Sequence, residues 1–187
     1  MALSTERIEQ RLREQFPGVA FERQLGEAVR DHTLYVPADS LVAVCTFLRD
    51  DPELRFAMLS WMGGADYLPR VPRFETIYSL LSLEHNLRFT LKVMVAEVQP
   101  KVPTVVGVWP TANWHERETY DFYGITFAGH PDMTRILLPE DWVGWPLRKD
   151  SPLGYEEVAF THNTPGRTVP SPSLKKLAPK KVRYRAQ

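Results

Sequence analysis

Cysteine is almost missing from this sequence. Cys45 is the single thiol among 187 residues. A disulfide framework within the chain is therefore excluded, and so is a zinc or iron–sulfur site built from several of its own cysteines. Cys45 lies in the apolar run LVAVCTFL, where free cysteine usually packs as a small hydrophobic side chain. We therefore expect this thiol to be buried.

Long apolar segments are missing as well. No stretch approaches the roughly 18 apolar residues that a membrane-spanning helix needs. The N-terminal sequence MALSTERIEQ also lacks the basic and then apolar layout of a signal peptide. Hydrophobic residues nevertheless make up 43% of the chain, which is enough for a real core. We expect any association with a membrane to be made through a partner protein.

The net charge is zero, but its distribution along the chain is uneven. Residues 161–187 hold seven basic and no acidic residues, which leaves 16 basic and 23 acidic residues in 1–160, a charge of −7. Such a basic tail is typical of docking on an acidic partner, of a solvated extension, or of contact with nucleic acid or anionic lipid. The sequence shows no recognition helix for DNA and no set of aromatic residues on which bases could stack. The net negative charge of residues 1–160 would also repel a polyanion.

Hydrophobic periodicity in the first half of the chain predicts an α+β fold. The predicted order is a helix, two strands, a second helix and three strands. The helices are 5–16 and 38–51, and the strands are 19–25, 28–36, 56–67, 74–83 and 88–98. Strands 56–67 and 74–83 are apolar on both sides, as interior strands are. We expect a two-layer domain, with a mixed sheet of about five strands and helices on one face.

The second half has a different composition. Eleven of the sixteen prolines lie in 100–187, and four of the five tryptophans lie in 109–145. One helix is predicted at about 111–123, with Gly124 as its C-cap. The rest is an extended, proline-rich segment whose large apolar side chains need a surface to lie against. The chain therefore divides into an α+β domain (1–99), a helix with an irregular segment (100–154) and a basic extended tail (155–187).

The run HERETYDFYGITFAGHPD concentrates titratable side chains and has three interpretations. Glu118 and Asp121 form an acid/base pair in the first, with His115 or His130 as proton carrier. In the second, His115 and Glu118 bind a metal ion together with His130 or Asp132. In the third, the charges are solvated or pair with each other or with another protein. No phosphate loop, His-Glu-x-x-His motif or nucleophile elbow accompanies the run.

Aromatic and basic residues are dense around this run. Such side chains are enriched in the buried cores of protein interfaces, because they combine a large apolar area with a polar or charged tip. They are Trp109, Trp114, Arg117, Tyr120, Phe122, Tyr123, Arg135, Trp142, Trp145, Arg148 and Lys149. This density favours the interface among the three interpretations.

The same region resembles a known family. The pattern W-x-E-R-E-x-Y-D-x-x-G-I-x-F-x-G-H-P-D, continuing to R-I-L-x-P-x-D-W-x-G-x-P-L-R-K-D, is similar to the signature of the C-type (30 kDa-type) subunit of the proton-pumping NADH:quinone oxidoreductase, respiratory complex I. It occupies residues 114–150, which we call the signature segment. After Asp150 the family continues with Tyr-Pro-Leu, whereas this chain has Ser151-Pro152-Leu153.

The resemblance implies a scaffold subunit of the hydrophilic arm rather than an enzyme in its own right. Such a subunit holds no flavin, cluster or quinone. FMN and iron–sulfur clusters belong to its partners, and it packs against the quinone-site (D-type) subunit and cluster-bearing subunits. It implies a peripheral position on the cytoplasmic face of the cell membrane. Equivalent subunits of ferredoxin-dependent plastid or cyanobacterial complexes and of membrane-bound hydrogenases are an alternative; the quinone and the electron donor stay open.

We take the signature residues as candidates for the partner interface, and expect no catalytic, cofactor-binding or metal-binding residue in this chain. The candidates are Trp114, Glu116, Arg117, Glu118, Tyr120, Asp121, Gly124, His130, Asp132, Arg135, Asp141, Trp142, Trp145, Arg148, Lys149 and Asp150. A stand-alone acid/base enzyme and a nucleic-acid-binding module are the competing functions.

Overall fold

The chain has an α+β fold, in which groups of strands separate the helices along the sequence. The computed structural model describes residues 4–24 and 32–151. The elements are α1 Thr5–Gln15, β1 Glu22–Arg23, β2 Thr33–Tyr35, a 3₁₀ turn Ala38–Ser40, α2 Leu41–Asp50, β3 Met58–Asp66, β4 Phe74–Ser82, β5 Leu87–Val95, β6 Lys101–Pro103, α3 Ala112–Tyr123 and β7 Thr126–Ala128. The basic tail predicted at 155–187 lies outside the described residues.

The strands form one large sheet and one small sheet. The large sheet has five strands in the order β1-β2-β5-β4-β3. Its β2–β5 pair is parallel and its other pairs are antiparallel. The small sheet pairs β6 with β7 in parallel. The predicted α+β class and the mixed sheet of five strands are confirmed.

The core lies between the sheet and its helices. In α1, Ile8 and Leu12 are buried one turn apart, and in α2 Leu41, Cys45 and Leu48 follow the same spacing. The prediction of a buried thiol is confirmed, and burial raises the pKa of Cys45 well above its usual value. None of the helices within the described ranges is long and apolar enough to cross a membrane.

The prediction that both long apolar strands lie inside the sheet is wrong for β3, which is an edge strand. Its apolar character has another cause, because α3 packs closely against it. A Cβ at Gly64 would lie 2.8 Å from Cδ2 of Tyr123 and 3.0 Å from Cγ2 of Thr119. The glycine thus lets helix and strand approach, so that α3 covers the inner face of this edge strand.

The small sheet was not predicted, because each strand has three residues and β6 ends in proline. Its central pair, Val102 and Phe127, is buried in the core. The small sheet therefore anchors both ends of the α3 region to the main domain. Residues 129–151, which we call the strap, contain no helix or strand.

Candidate functional site

Helix α3 carries the centre of the signature segment and has two different faces. Glu116 and Thr119 face the domain and Asp121 lies beneath residues 135–138, and all three are almost excluded from solvent. Its outer face presents Trp114, which is exposed, and the half-exposed carboxylate of Glu118. Two of the carboxylates predicted as interface charges thus point into the molecule, where their partners must come from the same chain.

Asp121 holds the first part of the strap. Its Oδ2 accepts the backbone N–H groups of Ile136, Leu137 and Leu138 at 3.2, 2.8 and 2.8 Å. Its Oδ1 accepts Nη1 of Arg135 at 2.7 Å. Burial alone would raise the pKa of Asp121, but these hydrogen bonds outweigh burial and hold the pKa below its usual value. One carboxylate therefore satisfies three successive amides of a segment that has no regular structure.

Trp145 forms a second attachment of the strap. Its ring makes an edge contact with Tyr120 at 5.1 Å, and the guanidinium of Arg135 lies 4.8 Å from it. Gly124 ends α3 with φ at +71°, and a Cβ there would lie 2.5 Å from Cε2 of Trp145. The predicted C-cap is confirmed, and the position needs glycine for two reasons: its left-handed backbone and the indole against it.

Buried charges fix the end of the strap to the β3–β4 hairpin. Arg73 donates to Asp66 at 2.7 Å and to Asp150 at 2.6 Å, and the backbone N–H of Lys149 donates to Asp66 at 2.8 Å. Burial alone would raise the pKa of Asp66, but hydrogen bonds from Arg73 and Lys149 lower it to about 2. Nearby, Nε of Arg148 donates to the last carbonyl of α3 at 2.7 Å.

A buried acid joins α3 to the segment after β6. Glu116 accepts the hydroxyl of Thr104 at 2.5 Å and the N–H of Val105 at 2.8 Å. Burial outweighs both hydrogen bonds and raises the pKa of Glu116 to about 7. The buried imidazole of His130 lies 4.0 Å away and 3.3 Å from the carbonyl of Asn113. Its Nδ1 accepts the N–H two residues on, so the ring proton belongs on Nε2.

The acid/base and metal interpretations find no matching geometry here. Glu118 lies near His115, at 3.9 Å, whereas Asp121 is covered by the strap and saturated by its hydrogen bonds. His130 packs against Glu116 instead. Within residues 4–24 and 32–151, no group of three histidine, cysteine, aspartate or glutamate side chains lies close enough to hold a metal ion.

The remaining predicted residues lie on the surface of the strap or bind it to α3. Arg117 donates to the carbonyl of Thr134 at 3.1 Å. Asp132 accepts the N–H of the same residue at 3.3 Å, as an aspartate side chain does in a turn. Asp141 and Lys149 are exposed, and their side chains make no contact within the part of the chain described. Both are free to meet another molecule.

Large apolar side chains face solvent on α3 and the strap. They are Trp114, Leu137, Trp142, Val143 and Leu147. Leu147 also lines a groove of about 210 Å³ between α3 and β3. The segment thus buries two carboxylates, Glu116 and Asp121, while five of its large apolar side chains face solvent, which is unusual for a surface loop.

Two residues that organise the site, Asp66 and Arg73, were missed by sequence reasoning. Both are buried, and they bracket the turn between two apolar strands. A charged pair at facing ends of apolar strands is a weak signal of a buried ion pair. Only the structure shows that Asp150, 77 residues after Arg73, completes it.

Residues 34–157 match the family described as Respiratory-chain NADH dehydrogenase, 30 Kd subunit. The chain belongs to this family. The matched range covers the sheet from β2 onward, α3 and the whole strap.

Relatives in the 30 kDa subunit family resemble the chain over most of their length. It is 53% identical over 165 residues to the C-type subunit of NADH-quinone oxidoreductase from Roseiflexus sp. (strain RS-1), which covers 87% of this chain and 92% of the relative. It is 51% identical over 156 residues to the protein of the same name in Herpetosiphon aurantiacus, covering 83% and 89%.

Two solved structures share the fold of this 30 kDa-type subunit. One is the trypsin-resistant fragment (1–134) of Nqo5, which is 31% identical with a TM-score of 0.53 and covers 68% of this chain and 97% of that one. The other is in the membrane-bound sulfane sulfur reductase, an archaeal respiratory membrane complex. That match is 23% identical with a TM-score of 0.66 and covers 79% and 85% of the two chains.

Proposed function

We propose that the chain is a non-catalytic scaffold subunit in the hydrophilic arm of a proton-translocating NADH:quinone oxidoreductase. The name of its relatives, which are C-type subunits of NADH-quinone oxidoreductase, supports this assignment. The observation that carries it is the exposed apolar surface of α3 and the strap. Trp114, Leu137, Trp142, Val143 and Leu147 all face solvent there, while buried charges such as Asp121 hold the backbone beneath them.

The inward charges give the segment one conformation before a partner arrives. Asp121 fixes one end of the strap and Arg73 the other. A loop held in this way loses little conformational entropy on binding, so more of the burial free energy remains for affinity. The exposed tryptophans and leucines then act as anchors, since large apolar side chains carry most of the energy of protein interfaces.

The partners in this proposal are the quinone-site (D-type) subunit and neighbouring cluster-bearing subunits. FMN and the iron–sulfur clusters belong to those partners, and electron transfer is a property of the assembled complex. The role of this chain is structural, because it holds the neighbouring subunits in a fixed relative position. The complex binds it as a peripheral protein on the cytoplasmic face of the cell membrane.

Purification from membranes in mild detergent tests the proposal. A tag on the chain is expected to recover membrane subunits together with flavin and iron–sulfur absorbance in the visible spectrum. Flavoprotein subunits in that preparation identify NADH as donor, whereas clusters without a flavoprotein point to the ferredoxin-dependent relatives. A colourless single chain in the soluble fraction would contradict the scaffold role.

A further inference from the structure

The face of the large sheet that points away from the helices is covered at one end. Glu75 on β4 is buried there beneath the β3–β4 connection. It accepts Arg70 at 2.6 Å and the hydroxyl of Tyr35 at 2.9 Å, and Lys92 lies 3.3 Å from it. The charges at this end therefore satisfy one another within the chain.

Within residues 4–24 and 32–151, no segment covers the other end of the same face. Strand register places Met58 opposite Leu81 and Leu81 opposite Arg88, so that these three form one row across β3, β4 and β5. The neighbouring row contains Trp61, and the row after it contains Ile77. Met58 and Trp61 are 44% and 48% exposed. We call the patch that these residues form the open sheet face: Met58, Trp61, Ile77, Leu81 and Arg88.

The indole of Trp61 is held in place. A β-bulge between Leu59 and Trp61 shifts the register of β3, so that Leu59 before the bulge and Met62 after it are both buried in the core. A Cβ at Gly63 would lie 2.5 Å from Cζ2 of Trp61. The ring therefore lies directly on the glycine, and this support makes it a flat and preorganised aromatic surface.

Arg88 is the one arginine in residues 4–24 and 32–151 whose side chain has neither a hydrogen bond nor an ion pair. It is exposed and lies beside Leu81 on the open sheet face. An unpaired guanidinium next to exposed apolar side chains is complementary to a surface that combines apolar groups with a carboxylate.

We propose that the open sheet face binds a partner subunit that places an apolar side chain over Met58 and Trp61 and a carboxylate against Arg88. The inference rests on the proposed function, because it requires the chain to be a subunit of a complex. Residues 161–187 of this chain carry seven basic and no acidic side chains, so this segment is not complementary in charge to Arg88. The surface lies on the side of the sheet opposite the helices, and at Trp61 it adjoins the groove between α3 and β3 that Leu147 of the strap also lines.

A single introduced thiol tests whether this surface is covered in the complex. Cys45 is fully buried, so in Met58→Cys the new side chain is the reactive thiol of this chain. We expect maleimide to label it at least about tenfold more slowly in the purified complex than in the released chain. Val98→Cys, at a site that is 92% exposed, reports general access to reagent. Equal rates for Met58→Cys in the two states would overturn the proposal.

A benzophenone attached to the same thiol identifies the occupant. Capture of a different subunit, through a peptide that contains aspartate or glutamate, supports the proposal. Capture of residues 152–187 of this chain, or of a second copy of it, contradicts the proposal.

A charge reversal tests the carboxylate. Arg88→Glu is expected to lower the fraction of chain in the complex about tenfold, because two carboxylates would then face each other. The matched control is Lys101→Glu, at an exposed site without a side-chain partner, and it should assemble like the unaltered chain. If the two variants assemble equally well, the partner places no carboxylate against Arg88.

Purification of the unaltered chain distinguishes failure of the proposed scaffold function from failure of the proposed interface at the open sheet face. If it purifies with no other subunit, the scaffold function is wrong. If it assembles fully while Met58→Cys stays unprotected, the scaffold function stands and the open sheet face is not an interface.

Discussion

Asp121 shows what one buried carboxylate does for a segment without regular structure. The sequence indicates a charged residue on a helix, and it predicts the helix itself. It does not indicate that three amides 15 to 17 residues later converge on that side chain. Helical periodicity reports which face a residue occupies, whereas the path of an irregular backbone depends on contacts between distant residues. The same limit explains why Arg73 was missed.

Asp121→Asn should weaken the fold strongly. The amide keeps the shape but loses the charge that faces Arg135, and its NH₂ group accepts no hydrogen bond from the strap. We expect the free energy of unfolding to fall by about 3 kcal/mol, measured by chemical denaturation of the purified chain. Asp141→Asn, at an exposed side chain without a partner, is the control. Equal stability of the two variants would show that the strap does not depend on Asp121.

Glu116→Gln should change how stability depends on pH. Burial raises the pKa of Glu116 from its ordinary 4.5 to about 7 in the folded chain. Between these values the unfolded chain has lost the proton and the folded chain retains it, so stability falls as pH rises through this window. The shift corresponds to about 3 kcal/mol.

Denaturation of both proteins at pH 5 and pH 8 measures this effect. The stability of Glu116→Gln relative to the unaltered chain is expected to increase from pH 5 to pH 8, by an amount close to that shift. Glu118→Gln, at a half-exposed side chain on the opposite face of α3, controls for the loss of one acid. A difference between the Glu116→Gln variant and the unaltered chain that stays constant with pH would contradict a raised pKa.

At the scale of elements, the strands of the large sheet were predicted and the two strands of the small sheet were not. β5 follows its alternation, with Phe89, Leu91 and Val93 in the core. β6 and β7 carry no period because three residues are too few to show one. The edge position of β3 was hidden for a different reason. α3 covers the inner face of β3, and Met58 and Trp61 lie on its other face, so both faces carry apolar side chains although β3 has a strand neighbour on only one edge within the described residues.

Two glycines of the signature segment allow the cost of backbone strain to be distinguished from the cost of a steric clash with a neighbouring side chain. Gly124 and Gly144 both have positive φ, at +71° and +90°, but only Gly124 has atoms within 4 Å of an added Cβ. Gly144→Ala should therefore cost about 1–2 kcal/mol from the backbone alone. Gly124→Ala should cost more, because it also displaces Trp145. Thermal melting measures both, with Gly18→Ala, which has neither feature, as control. Equal losses at the two positive-φ sites would show that the indole moves aside freely.

At the scale of the whole molecule, the strap is a rigid addition to an α+β domain. Asp121 and Glu116 fix it to α3, and Arg73 ties its end to the hairpin on the far side of the core. Composition alone predicted a proline-rich segment lying on a surface. The structure adds that the first surface is its own domain, so that only one side of the strap is left for a partner.

The strap's apolar side provides a test that leaves the fold intact. Val143 is 95% exposed, so Val143→Asp removes no packing from the chain and should not alter its melting temperature. In the complex the new carboxylate would be buried against an apolar partner surface without a counter-charge, which is costly. We expect the amount of this chain that is recovered with the complex to fall about tenfold, measured by purification from membranes.

Val98→Asp is the control, because it makes the same change at a site that is 92% exposed but outside the strap, and it should assemble normally. Normal assembly of Val143→Asp would mean that the strap's outer side faces solvent in the complex, and docking would then have to occur elsewhere on the chain.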